Sequence, residues 1–336
     1  MTVPVPGASA RPSRVPVRHD TFRAILIMED NGFRREFDAV LADVCRRIGV
    51  PASGAQLLHL HGNAVYGFPA AGLVIRISGS QAALARITES LKVTAWLAEG
   101  GFPCTVPATV PGQPFAIDGK VASVWQYVPE AAGPPASAAD LARLLRDLHS
   151  RPLPPSPPGA FTDPLAGVTA ALESAPADAT AREQRDWLAG QVKELRSRWD
   201  ELRFPHPPGL IHGDAHPGNL IRAQDGTVVL GDWDHVAVGP REWDLAQVFY
   251  ASQRLGYPPR EDLESFGAAY GWDPRDWPGL ATLVAIREVS GLGTYLRNAP
   301  TQPFARRELA MRISTLQAGD HSARWNRPVL ERTREA

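Results

Sequence analysis

Apolar positions change their spacing as the chain proceeds. From Arg34 to Ile48 they fall at Phe37, Val40, Leu41, Val44 and Ile48, the spacing of one helical face. The stretches "QLLHLHGNAVYGF" and "LVIRIS" then predict two strands, the second alternating Val74, Arg76 and Ser78 with Ile75 and Ile77. Ser80 to Glu99 returns to helical spacing through Leu84, Ile87, Leu91 and Leu97, with Gly100-Gly101 as its stop. "PFAIDGKVASVWQYV" predicts a hairpin turning at Asp118-Gly119. Ahead of all these, "FRAILIM" (Phe22–Met28) is a short apolar run that fits a strand or a helix.

From Pro129 the texture shifts. "PEAAGPPASAAD" is a linker ending in a helix start, and Asp140 to His149 forms an Arg-laced amphipathic helix. "RPLPPSPPGAFTDP" is a stiff, proline-rich loop. Helical spacing resumes over Gln184 to Leu202 and dominates after Trp243, including Leu280 to Leu296. Strands first and helices second predict an α+β protein, with a smaller antiparallel-sheet lobe over 21–128 and a larger, mainly helical lobe over 129–336.

Composition narrows the function classes. Lys+Arg 35 against Asp+Glu 36 leaves a formal charge of -1, with no basic excess to recruit nucleic acid or an anionic membrane. No apolar run is long enough to span a bilayer, and residues 1–20 read as a flexible Pro-, Ser- and Arg-containing leader without a signal-peptide core. Cys45 and Cys104 are too few for a disulfide framework, which points to a reducing cytoplasm. The only lysines are Lys92, Lys120 and Lys193, so a site that needs a cation must mostly use arginine.

The candidate chemistry centres on "HGDAHPGN" (His212–Asn219) and the following "LIRAQDGTVVLGDWDHVAVGPREWDLA". Here "NLI" and "TVVLGD" are short strands about a Gln224-Asp225-Gly226 turn. Antiparallel pairing returns Asp232 to Asn219, with Asp214 on the same loop just upstream. Phosphoryl transfer needs such a set: Mg²⁺ takes oxygen ligands, for which Asn219 and Asp232 serve, and an acceptor hydroxyl needs a carboxylate outside the metal shell, for which Asp214 serves. Taken singly, each acid reads as a turn cap or an arginine partner; together with Asn219 they read as a catalytic set. His216 and His235 match no zinc spacing and have no cysteine near them.

These residues resemble the aminoglycoside phosphotransferase family, which shares a two-lobed fold with protein kinases and choline kinases. The resemblance runs from about residue 55 to about residue 300 and is most specific over 211–247. It implies Asp214 as the catalytic aspartate, Asn219 and Asp232 as metal ligands, Asp244 as a structural aspartate at a buried helix start, and His212 as a brace of the catalytic loop. It further implies ATP or another nucleoside triphosphate with Mg²⁺, and a small-molecule hydroxyl acceptor.

At the nucleotide end, "HGNAVYGF" before "LVIRIS" resembles the family's phosphate-covering turn, with Gly62 allowing close approach and Asn63 a polar contact. The family's phosphate-gripping lysine falls on Arg76, a departure that keeps the charge and gains a bidentate fork. Glu89 is the best partner for Arg76, with a solvated helix acid as the equal alternative. "VWQYVP" corresponds to the interlobe hinge, where backbone groups of Gln126 to Val128 would meet adenine; Trp125 and Tyr127 are adenine contacts or core residues.

The acceptor is the least legible part. Asp234 touches metal or substrate, or is a solvated acid beside Trp233. Glu288, in an Arg287-Glu288 pair interrupting an apolar helix, belongs to a buried ion pair or to the acceptor cleft. The sequence therefore predicts an ATP-dependent small-molecule kinase. The alternative is a kinase-fold protein that binds nucleotide or metabolite without transfer, with Arg76 as the sign of decay.

Overall fold

The computed structural model describes residues 31–60 and 62–326; the expected leader and the Phe22–Met28 run lie outside the described residues. The first described helix, α1 (Asn31–Ile48), buries Phe37, Val40, Leu41 and Val44, the face its spacing marks. It packs on a five-stranded antiparallel sheet made of β1 (Gln56–Leu60), β2 (Asn63–Phe68), β3 (Leu73–Ser78), β4 (Phe115–Ile117) and β5 (Lys120–Gln126), in the order β1-β2-β3-β5-β4. Tyr66, Phe68, Ile75, Ile77 and Val124 join the α1 residues in one core cluster. On β3 the period of two puts Ile75 and Ile77 into that core and leaves Arg76 on the other face.

Three strands stand where the alternation predicts two. "QLLHLHGNAVYGF" is itself a hairpin, β1 pairing β2, with a register shift between Leu57 and His59. Gly62-Asn63 is a turn signal between its two halves, which a reading of the stretch as one strand passes over. The Asp118-Gly119 turn between β4 and β5 forms as expected, with φ of 47° and 75°. Helix α2 (Leu84–Glu99) follows a short 3₁₀ turn capped by Ser80, whose side chain accepts from the Ala82 N–H. It lays Ile87 and Leu91 against Val121 and Trp125 of β5.

Beyond the linker the chain is mainly helical. Helix α3 (Ala138–Ser150) starts at a reciprocal Ser137/Asp140 capping box. It is followed by α4 (Ala166–Ser174), α5 (Arg182–Glu201), α6 (Glu242–Tyr250), α7 (Asp262–Tyr270), α8 (Gly279–Ser290), α9 (Leu292–Asn298) and α10 (Pro303–Gln317). The expected continuous helix over Leu280 to Leu296 divides at Gly291 into α8 and α9. Beyond that division Gly293 sits against α4, where a Cβ would come within 3.0 Å of Val168 Cα. Two short ribbons lie among the helices: β6 (Gly209–Ile211) with β9 (Ala237–Gly239), and β7 (Leu220–Arg222) with β8 (Val228–Leu230). They carry the loops that hold the polar cluster. No helix among the described residues is long and apolar enough to cross a membrane.

Candidate active site

The β7–β8 ribbon pairs Leu220 with Leu230, and the Gly231 N–H closes it by donating to the Asn219 carbonyl at 2.8 Å. Asn219 and Asp232 are thereby neighbours across the mouth of one hairpin. Asp232 holds φ at 62°, a left-handed conformation that costs a non-glycine residue energy and marks a constrained site. The Asn219 amide donates to the Asp214 carbonyl at 2.9 Å, which ties the hairpin to the loop before it.

That loop is clamped from beneath. The Asp244 carboxylate, in the first turn of α6, accepts from the N–H groups of His212 (2.7 Å) and Gly213 (2.8 Å) and bonds His149 Nε2 (3.1 Å). Burial alone would raise the Asp244 pKa, but His149, His212 and the loop amides hold it below the ordinary range. His212 bridges to the second strand pair, with Nε2 on the Gly231 carbonyl (2.9 Å) and Nδ1 accepting from the Asp214 N–H (3.3 Å). Fully buried, its imidazole has a lowered pKa, burial outweighing the nearby acids, and stays neutral at pH 7. At Gly213, φ is 86° and a Cβ would lie 2.1 Å from the His235 carbonyl, so only glycine fits.

Asp214 emerges from this clamp half-buried, its side chain 36% exposed. Gln247 Nε2 donates to its Oδ1 at 2.9 Å, and Arg287 Nη1 lies 3.9 Å from the same oxygen. Oδ2 has His216 Nε2 at 4.0 Å. Gln247 and Arg287 are functional candidates that the motif reading passes over. The signals were present: Gln247 sits three residues after Asp244, on the same helical face, and Arg287 is a cation inside an apolar helix.

From the sheet side, Arg76 reaches across. Its Nη1 donates to Asp234 Oδ1 at 2.6 Å, and its Nη2 forms an ion pair with Asp232 Oδ1 at 3.0 Å. With the Asn63 amide turned to satisfy both its groups, Asn63 donates to the Gly62 carbonyl and accepts from Arg76 Nη2, each at 3.1 Å. Arg86, on α2, adds a second cation 3.9 Å from Asp234 Oδ2. Burial opposes the charge on Asp232, but Arg76 and more distant histidines hold its pKa below the ordinary range.

One expected placement does not occur. Glu89 does not meet Arg76; it pairs with Lys92 at 3.0 Å on an exposed face, because the two acids of the 232–234 loop occupy the guanidinium instead. Of the two readings of Glu288 the buried ion pair holds, though with Arg254 and not Arg287: Arg254 Nε lies 2.5 Å from Oε1 of Glu288, which is one residue and so about 100° around α8 from Arg287. Asp234 is buried too and is a partner of Arg76 and not a solvated acid. In the hinge, the Gln126 N–H is engaged by the Val106 carbonyl and the Tyr127 N–H by that of Gly72, while the Val128 N–H is in neither bond. Trp125 is buried, its Nε1–H donating to Ser123, which makes it core.

A magnesium nucleotide fits these residues on three observations. Asn219 donates through its nitrogen, which leaves the amide oxygen for a hard cation, and the Asp232 side chain is 45% exposed. A Cβ at Gly62 would meet nothing within 4 Å, and its φ is not in the left-handed region, so the protein itself does not demand glycine there. That open approach lies next to the Asn63–Arg76 pair, where phosphate oxygens would find a guanidinium.

Residues 63–283 match the family model described as "Phosphotransferase enzyme family". Among solved structures, an amicoumacin kinase in complex with AMP-PNP, Ca²⁺ and Ami aligns with a TM-score of 0.65 at 16% identity, over 84% of this chain and 93% of that one. A choline/ethanolamine kinase family protein from Mesorhizobium loti aligns at 0.59 and 18% identity, over 84% and 94%. An aminoglycoside-3'-phosphotransferase of type VIII aligns at 0.53 and 21%, over 74% and 98%. At these identities the likeness is one of fold: an antiparallel-sheet lobe followed by a helical one.

Proposed function

The chain belongs to the phosphotransferase enzyme family, and from that premise we propose that it is a Mg²⁺- and ATP-dependent kinase of small hydroxylated molecules. The observation that carries this reading is the division of acids around one hairpin. Asp214 keeps a half-exposed side chain whose ion-pair contacts are to His216 and Arg287 and not Arg76, while Asp232 and Asn219 offer oxygens beside that guanidinium. The solved kinases of this fold include complexes with AMP-PNP and Ca²⁺, with ADP and with GDP, which supports a nucleoside triphosphate as the donor.

In this reading Asn219 and Asp232 hold the metal, and Arg76, steadied by Asn63, holds phosphate oxygens. The bound ion would offset charge on the transferring phosphoryl group. Asp214 orients the acceptor hydroxyl and takes its proton as the oxygen bonds to the γ-phosphorus and the bond to the nucleoside diphosphate breaks. Asp244, His212 and Gly213 keep the loop in the one conformation that presents Asp214.

The acceptor class follows from charge. A polycationic aminoglycoside needs several free acids converging on the cleft. The two acids nominated from sequence are both engaged, Asp234 by Arg76 and Arg86, and Glu288 by Arg254. Arg287 adds a cation beside the base itself. A neutral or weakly charged polar metabolite or natural product is therefore favoured over a multiply charged antibiotic. Incubating the protein with Mg-ATP and a panel of aminoglycosides, neutral sugars, amino alcohols and nucleosides, read by the mass gain of one phosphoryl group, tests this. Phosphorylation of a neutral or singly charged compound is expected; efficient turnover of a classical aminoglycoside alone would overturn the acceptor class, and no phosphorylated product with any compound or with water would overturn the kinase.

A further inference from the structure

The side chain of Asp214 is held unevenly, and this deepens the kinase reading on which it rests. Oδ1 receives the Gln247 Nε2 hydrogen bond at 2.9 Å and faces Arg287 Nη1 at 3.9 Å. Oδ2 has neither. The imidazole of His216 stands 4.0 Å from it, with Nδ1 accepting from the Gly218 N–H, so that the proton of the neutral ring is on Nε2.

The holders are themselves anchored. Along α6, Asp244 grips His212 and Gly213, and Gln247, one turn on, grips Asp214. Consecutive turns of one helix thus hold consecutive residues of the loop. From α8, Arg287 donates Nη2 to the Gly213 carbonyl at 3.0 Å, and its guanidinium carbon lies 3.7 Å from the Trp243 ring centroid. Trp243 Nε1–H donates to that same Gly213 carbonyl at 3.1 Å. Burial lowers the Arg287 pKa to about 10, with Asp214 and Asp244 working against the fall, so it remains a cation at neutral pH.

A second observation bears on why Gln247 is glutamine. Its Oε1 is buried and has no hydrogen-bond partner, and reversing the amide would point that oxygen at a carboxylate. An unpaired buried carbonyl weakens a fold. The residue is therefore a poor choice for packing and a good one for presenting a single N–H to Asp214. The same holds for Arg287, whose Nε is also buried without a partner.

We infer that Gln247 and Arg287 are the positioning residues of the reaction, fixing Asp214 by Oδ1 so that Oδ2 is the atom that receives the acceptor proton. The proton leaves the acceptor O–H for Oδ2, the freed oxygen forms the new bond to the γ-phosphorus, and the nucleoside diphosphate departs with the electron pair of the broken P–O bond. Loss of the Gln247 N–H lets the carboxylate rotate, and productive orientations become rare.

The test uses the whole chain and Gln247→Met, which keeps the size of the side chain but lacks the donor. Water is the acceptor, so ATP hydrolysis by wild type and variant is followed as phosphate release, beside nucleotide titrations and thermal unfolding. The expected result is a kcat lower by roughly tenfold to a hundredfold, as for a hydrogen bond to a charged group. Nucleotide affinity should stay within about twofold and the Tm should not fall, since the unpaired Oε1 goes with the amide. Gln247→Glu, which sets a carboxylate against Oδ1, should lower kcat further. A kcat within about twofold of wild type in both variants overturns the inference. So does a loss of kcat matched by losses of nucleotide affinity and Tm, which would mark a structural role. Absence, from the wild-type protein, of both phosphate release from ATP and a phosphorylated product with any compound of the acceptor panel would instead overturn the kinase reading, and this inference with it.

Discussion

Replacing Arg76 by alanine should weaken nucleotide binding more than replacing any lysine of the chain. The guanidinium lies 2.6 Å from Asp234, 3.0 Å from Asp232 and 3.1 Å from Asn63, on the one strand face that points at the hairpin. A hydrogen bond to a charged group contributes about 1.5–3 kcal/mol. Because phosphate must share a fork already engaged by two acids, the lower part of that range applies, ~2 kcal/mol or about thirtyfold in Kd. Arg76→Lys should recover part of this, a point charge replacing the fork. The lysines are placed elsewhere: Lys92 pairs with Glu89 and Lys120 with Glu36, surface contacts that contribute about 0–1 kcal/mol to stability and nothing to the nucleotide. Stability should respond as well. The Asp234 side chain is 6% exposed, and without Arg76 it keeps only Arg86 at 3.9 Å. Removing one partner of a buried pair costs about 3–5 kcal/mol, a range that the remaining Arg86 should reduce to ~2 kcal/mol. Calorimetric titration with Mg-ATP and denaturant unfolding read the two effects separately. Wild-type ATP affinity in Arg76→Ala, or an equal loss in Lys92→Ala or Lys120→Ala, would refute the assignment.

Three further outcomes follow from the same geometry. Asp232→Ala should weaken Mg-nucleotide binding and activity together, because the proposed metal loses its one anionic protein ligand; an unchanged Mg²⁺ dependence of ATP binding would rule this out. Glu288→Gln should act on stability and not on acceptor choice, costing about 3 kcal/mol by leaving the buried Arg254 without its carboxylate; a shifted acceptor profile at unchanged stability would contradict it. Asp244 should shape the acid limb of stability. Its folded pKa is depressed, so its contribution is complete above the ordinary carboxylate value of about 3.9 and is lost as the pH falls below it. Asp244→Asn should flatten the stability profile there, and an acid limb of unchanged slope in unfolding titrations would show that the group contributes nothing.

The elements were legible where periodicity and turn chemistry agree. Helix α1, the Asp118-Gly119 hairpin and the β7–β8 ribbon about Gln224-Asp225-Gly226 all form where their sequences predict. The hairpin within "QLLHLHGNAVYGF" was legible only through its Gly62-Asn63 turn signal and the resemblance to a phosphate-covering turn, not through apolar spacing. The juxtaposition of Asn219 with Asp232 could be read because a two-strand pairing is a local event with a fixed register. The partners of Arg76, Glu89 and Glu288 could not. Arg76 meets Asp234 from 158 residues away, across the lobes, and Glu288 meets Arg254 within the helical lobe, contacts that only tertiary packing decides. Gln247 lay one turn beyond a recognised aspartate, and Arg287 beside the acid that drew attention instead.

In the proposed reaction Asp214 serves the acceptor while Arg76, Asn219 and Asp232 serve the nucleotide. Single-turnover transfer of the γ-phosphate by Asp214→Asn at saturating Mg-ATP, beside wild type and with nucleotide affinity measured on the same samples, tests it most directly. The predicted result is a rate lower by on the order of 10²–10⁴ with nucleotide affinity near that of wild type. Transfer at close to the wild-type rate, or a loss of rate accounted for by lost nucleotide binding, would contradict it.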